Sequence, residues 1–204
     1  MFGVLDKAIQ KVKGNAQGNI DTDKIKRLKD LSKDFSSDEM QEVIAGILAG
    51  EYNQSGTFSL KTMDIVRSLS RDELNIFRKF CGLVINKDFI FGNFYASGNK
   101  NLTKLYTKGI GYDNYLYLQE LGLITGSNSS QELGDETGIN YNYGFIISDK
   151  LLTLKLNKKI SLNNKSILTK AGKEFYSLIN PIFDEDLFNM SKEELIRQGF
   201  EEIK

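Results

Sequence analysis

The sequence predicts a mainly helical α+β protein, with an N-terminal helical bundle followed by a helix–hairpin–helix region. Three observations lead there. Before Gly82, apolar residues recur every three or four positions, and hydroxyl residues followed by carboxylates mark repeated helix starts; from Gly82 onward the texture changes to short runs rich in aromatic and β-branched side chains.

Residues 2 to 13 place Phe2, Leu5, Ile9 and Val12 at helical spacing, with Asp6, Lys7, Lys11 and Lys13 elsewhere on the wheel. So short a helix is marginal alone, and its stripe needs a partner: the body of the protein, a second copy or a membrane surface. GNAQGN then reads as a flexible joint. IDTDKIKRLKDLSKDF carries Ile25, Leu28, Leu31 and Phe35 inward, and Ser36 or Ser37 before Asp38 and Glu39 opens the next helix. That helix buries Met40, Val43, Ile44, Ile47 and Leu48, while Gly46 and its small neighbours allow another helix to approach closely. After YNQSGT, Ser59 caps a helix through Leu60, Met63, Ile65 and Val66. Ser70 begins SRDE, a Ser-x-x-Glu capping box leading into Leu74, Phe77 and Phe80. The connections are short, so neighbouring helices should pack antiparallel.

In the second half, LVINKDFIFGNFY reads as extended chain and GNKNLTKLYTKGIG as loop with some helix. YDNYLYLQELGLI reads as a helix released at Gly122 into a strand, and the polar, glycine-rich stretch 126–140 as a mobile loop. YNYGFIISDKLLTLKLN reads as a hairpin turning at Ser148 and Asp149; ILTKAGKEFYSLINP is a last core helix stopped by Pro181; SKEELIRQGFEEI is a terminal helix starting at Ser191. The chain thus divides into an amphipathic helix and joint (1–18), a helical bundle (19–82) and an α+β region with an acidic C-terminal helix (83–204).

Composition narrows the chemistry. The absence of histidine removes Ser-His-Asp and Cys-His hydrolysis, His-containing zinc sites and histidine phosphotransfer. Neither glycine-rich nucleotide cradle is present. The single Cys81 cannot form an intrachain disulfide, and no apolar run approaches the roughly 20 residues of a membrane helix. A cytoplasmic protein without cofactor or metal is expected, and MFGVLDKAIQKVKG lacks the features of a secretory signal. Charges balance at 27 of each sign, but unevenly along the chain. Seven lysines face two acids in 141–180, whereas seven acids face three bases from Pro181 onward, so the two segments can neutralise each other.

Two resemblances follow. DEMQEVIAGILAGEYNQSGTFSLKTMDIVRSLSRDELNIFRKFC resembles a family of uncharacterised prokaryotic proteins, through Asp38 to Gln41, Leu48 to Glu51, Gly56, Phe58, Ser59 and Thr62, Leu69 and Ser70, Phe77 and Phe80. The likeness is good over 21–82 and looser elsewhere. Ser55 stands where proline is usual, and Lys61 where arginine is usual. The resemblance implies a prokaryotic or phage setting and supplies no activity. LQELGLI, a hairpin and LTKAGKEFYSLI resemble the second half of a winged-helix domain, in which glycine releases one helix into a strand and threonine caps the next.

Candidate residues follow from these patterns. Glu51, with Ser59 and Thr62, sits where a carboxylate can accept from loop amides between two helices, so a structural fastener is expected and no catalytic residue is assigned. A carboxylate hydrolase centred on Glu51 would need Asp64 or Glu42 as a second acid. Lys150, Lys155, Lys158 and Lys159 on the hairpin could hold a nucleic-acid backbone as a wing does, but the helix at 112–120 offers Asp113, Asn114, Gln119 and Glu120 and no basic residue. The expected function is a non-enzymatic protein-interaction or assembly module, its partner a protein that includes a second copy joined through Phe2, Leu5, Ile9 and Val12. The alternative is a DNA-binding regulator.

Overall fold

A computed structural model describes residues 2–12, 21–34, 37–126 and 129–203. The joint at 14–19, Phe35, Ser36 and the Phe2 side chain lie outside the described residues. The chain folds as α+β in two compact units: residues 1–75 with 174–180, and residues 76–173 with 181–204.

The first unit contains α1 (Phe2–Lys11), α2 (Thr22–Asp34), α3 (Asp38–Asn53) and α4 (Leu60–Ser68). The hydroxyl signals act as written. Ser37 accepts from the Met40 amide and Ser59 from the Thr62 amide, satisfying donors that the first helical turn leaves without partners. Ser70 Oγ accepts from the Glu73 amide while the Glu73 carboxylate accepts from the Ser70 amide at 2.6 Å, a complete capping box for α5 (Arg71–Phe80). Met40, Ile44, Ile47, Met63 and Val66 are buried at the centre of this unit, each worth about 1.5–3 kcal/mol. Gly46 lets α3 lie against Leu178, whose Cδ2 would be 2.9 Å from an added Cβ.

The second unit contains β1 (Phe89–Phe91), α6 (Leu102–Thr107), α7 (Tyr112–Glu120), β2 (Ser129–Leu133), β3 (Tyr141–Ile147), β4 (Lys150–Leu156) and β5 (Ile160–Ile167). The start of α8 (Lys170–Tyr176), whose residues from Glu174 onward belong to the first unit, α9 (Glu185–Arg197) and β6 (Glu201–Glu202) follow. Two small antiparallel sheets form, with strand orders β1-β5-β2 and β3-β4-β6. The β3–β4 hairpin is therefore inserted between two strands of the other sheet. Its turn puts Ser148 and Asp149 at φ of 47° and 67°, the double left-handed turn that matches strand twist. Phe145 and Tyr143 on its inner face meet the Phe200 ring edge-on at 5.0 and 5.5 Å.

Three expectations are corrected. The stretch 126–140 is not simply a mobile loop: Ser129–Leu133 pair with β5, and Asp135 accepts from the Thr137 amide and the Tyr141 hydroxyl. LVINKDFIFGNFY forms a strand only at Phe89–Phe91, with a single bridging residue at Ile85, because Asn86 and Lys87 turn the chain at positive φ and the main chain at Gly92–Tyr95 coils into a short 3-10 turn. The terminal helix starts at Glu185, not Ser191: Asp184 accepts from the Leu187 amide as the cap, and Ser191 is buried inside the helix.

Gly122 and Thr169 form a lock. The Thr169 hydroxyl donates to the Gly122 carbonyl at 2.6 Å and accepts from the Gly172 amide at 3.1 Å, while the Thr169 amide donates to the Leu123 carbonyl at 3.0 Å. Gly122, at φ 71°, turns the chain out of α7 as only glycine does cheaply.

Candidate functional site

The loop between α3 and α4 closes around Glu51. This carboxylate is 2% exposed; Oε1 accepts from the Phe58 amide at 2.6 Å, and Oε2 accepts from the Gly56 amide and from Lys24 Nζ, both at 3.1 Å. Lys24 also donates to the Phe58 carbonyl at 2.7 Å, so one ammonium and one carboxylate together satisfy both polar groups of Phe58. The Phe58 ring is buried against Gly50, where a Cβ would come within 2.4 Å of it. Lys24 was not singled out from the sequence; its place 27 residues before Glu51 carries no local signal.

Ser59 and Thr62 face a second acid. One oxygen of Glu174 accepts from the Ser59 amide at 2.7 Å, the Ser59 hydroxyl at 2.8 Å and the Thr62 hydroxyl at 2.5 Å. Glu174 thereby places negative charge at the N-terminus of α4, where the helix dipole favours it. The two acids proposed as partners for Glu51 are engaged elsewhere. Asp64 pairs with Arg27 at 3.5 Å, and Glu42 with Lys7 at 2.7 Å and Lys11 at 2.9 Å. Hydrogen bonds from Lys7 and Lys11 hold the Glu42 carboxyl below its ordinary range. Among the described residues, no group of three or more cysteine, aspartate or glutamate side chains is arranged to hold a metal ion.

Three of the four hairpin lysines have partners of their own, each a different one. Lys150 lies over the Phe183 ring at 3.6 Å, Lys155 pairs with Glu201 at 3.1 Å, and Lys159 pairs with Glu132 at 2.8 Å. Lys158 makes no ion pair among the described residues. The acidic C-terminal segment instead meets lysines of the α6 region: Lys108 with Asp184 at 2.6 Å and Asp186 at 3.0 Å, Lys104 with Asp186 at 3.3 Å, and Lys100 with Glu193 at 3.7 Å. Partial burial works against the Lys108 ammonium, yet its two carboxylates hold its pKa above the ordinary value.

Lys165, in the central strand β5, is a different case. It is 4% exposed, donates to Gln131 Oε1 at 2.8 Å and lies 5.0 Å from the Phe89 ring centroid, with no carboxylate in ion-pair range among the described residues. Burial lowers its pKa. A lysine held below its unfolded value destabilises the fold while charged, and stability recovers as pH rises from the folded pKa towards the unfolded one. Urea unfolding between pH 8 and 10.5 should therefore show a positive contribution to the stability slope in the wild type that Lys165→Met removes; identical slopes would contradict this.

α1 presents two faces. Val4 and Ala8 are buried, and Lys7 and Lys11 tie the helix to α3 through Asp38 and Glu42. Leu5 and Ile9 remain 41% and 69% exposed. With Val12, Ile25, Leu48 and Tyr52 they line an apolar groove of about 430 Å³. Among the described residues, no helix is long and apolar enough to cross a membrane.

No curated protein and no solved structure matches this chain. Residues 3–191 match the family described as "Protein of unknown function (DUF2806)", and with that span of the 204 residues the chain belongs to this family.

Proposed function

We propose that the protein is a non-catalytic association module that pairs with a second copy of itself through the groove beside α1. The observation carrying this reading is the outward-facing pair Leu5 and Ile9 on a helix already anchored by its other face, with half-buried Val12 just past its end lining the same groove. Solvent-facing leucine and isoleucine beside Tyr52 form a contiguous apolar patch, of the kind that marks association surfaces. A two-fold axis alongside the stripe would set each copy's Ile9 against the other's groove, the self-complementary geometry of an isologous dimer.

Light scattering across a concentration series tests it. A wild-type dimer whose dissociation constant rises about thirty-fold or more in Ile9→Asp, the effect of losing a 2 kcal/mol contact, is the expected result. A wild-type monomer at about 100 μM would end the proposal, since a functional homodimer of ordinary affinity, roughly micromolar or tighter, is populated there.

For the second unit we infer a winged-helix-like arrangement. Supporting it are the strand order β1-β5-β2, the placement of α6 and α7 between β1 and β2 in the chain, and the Gly122–Thr169 lock into α8. DNA binding by that arrangement is the second reading. It is weakened by the carboxylates on Lys100, Lys104, Lys108, Lys155 and Lys159, and by the lack of any basic residue on α7. Titration with duplex DNA over a salt series decides it: a steep loss of affinity with salt is the mark of phosphate contacts, and no binding at low salt excludes them.

A further inference from the structure

The geometry points to a second docking surface, the outer face of α7, which accepts a polypeptide segment carrying both cationic and apolar side chains. The face is built by helical spacing. Tyr112, Asp113, Leu116 and Glu120 are its exposed residues, and at separations of three, four, seven and eight they share one side of the helix while Tyr115 and Leu118 are buried on the other. Tyr106 extends the apolar part. Its ring lies so close to Gly111, at the start of α7, that a Cβ there would be 2.3 Å from the ring, so this 49% exposed aromatic is held in place.

Rigidity continues inward. The Tyr112 ring is 6.2 Å from Tyr115, which stacks on Tyr95 at 4.3 Å and donates or accepts a 2.7 Å hydrogen bond with Ser166. Tyrosines already fixed by packing lose little conformational freedom on binding, which makes them efficient contact groups.

Charge selects the occupant. Asp113 and Glu120 form no ion pair among the described residues, whereas the lysines of the α6 region are each matched by a carboxylate. The α7 face itself therefore presents two negative charges without a basic partner around Leu116, together with two tyrosine rings. A phosphate backbone is repelled there. A lysine or arginine can pair with Asp113 or Glu120 or lie over a tyrosine ring, while a neighbouring leucine covers Leu116.

The probe is a fluorescein-labelled 16-residue helical peptide of lysine and leucine, followed by anisotropy against the full chain, with the same peptide carrying glutamate for lysine and a 16-base-pair duplex as comparisons. Asp113→Asn/Glu120→Gln and Leu116→Ser are the variants; both change exposed positions, and circular dichroism confirms that each remains folded. Expected are binding of the lysine peptide, a loss of about ten-fold or more in each variant, and no comparable binding of the glutamate peptide or the duplex. Equal affinity in wild type and both variants, no binding of the lysine peptide, or tighter binding of the duplex would overturn the inference. Ile9→Asp should bind the peptide as the wild type does, which keeps this surface distinct from the groove beside α1.

Discussion

Glu51→Ala is expected to destabilise the first unit by about 3–5 kcal/mol, the cost of breaking a buried charged pair from one side. The substitution leaves the amides of Gly56 and Phe58 without their acceptor and Lys24, with its side chain 12% exposed, without its nearest carboxylate. Glu51→Gln is the informative companion. Its amide oxygen can still accept from Phe58, but its NH2 group then faces the Gly56 amide and the Lys24 ammonium, so an intermediate loss of about 1–3 kcal/mol is expected. Urea unfolding of the three proteins measures the order. If Glu51→Ala is as stable as the wild type, the carboxylate is not what holds the loop.

The second large effect is expected at Gly172. A Cβ on this residue would stand 2.0 Å from the Leu123 carbonyl oxygen, which belongs to main chain and cannot swing aside. Gly172→Ala must therefore displace α8 or the strand entry at Leu123, and with it the hydrogen bonds of Thr169 to Gly122 and Leu123. A cost of about 3 kcal/mol or more is expected, at the upper end for an overpacked site. Gly46→Ala is the control. There the obstacle is the far end of the Leu178 side chain at 2.9 Å, and a small rotation relieves it, so the expected cost is within about 1 kcal/mol. Thermal unfolding of both variants checks the contrast; comparable losses would refute the assignment of the obstacle to backbone.

The features readable from the sequence are those whose chemistry is local. Ser37, Ser59, Ser70 and Thr169 cap helices within three residues of themselves, and Gly122 turns the chain where α7 ends. The loop around Glu51 was legible for the same reason, since Gly56 and Phe58 lie five and seven residues away. Partners distant in the chain were not legible. Glu174 reaches Ser59 from 115 residues downstream, and nothing in KAGKEFY marks one glutamate as a cap for a remote helix. The strand at Ser129–Leu133 was hidden because SSQEL is an edge strand, mostly exposed, and lacks an apolar alternation. The start of α9 was misread through a competing signal: Ser191 begins a Ser-x-x-Glu pattern, but Leu187 and Met190 extend the same buried stripe N-terminally to the Asp184 cap. The acidic tail could neutralise the lysines of 141–180 within a chain or across a dimer; in the structure Glu201 pairs with Lys155, other tail acids pair with Lys100, Lys104 and Lys108, and Glu194 and Glu202 pair within the tail with Arg197 and Lys192.

The hairpin inserted between β2 and β5 also bears on how quickly the second unit reaches its native state. A seven-residue ladder closed by a two-residue turn is a local event, formed in about 1–10 μs for hairpins in general. Once zipped, it turns the long excursion from Leu133 to Ile160 into a much shorter effective tether, lowering the entropy that β2 and β5 must lose to meet. The β1–β5 pairing, which spans about 75 residues, is shortened by the same hairpin but still has to close the longer remaining loop, and should be a later step.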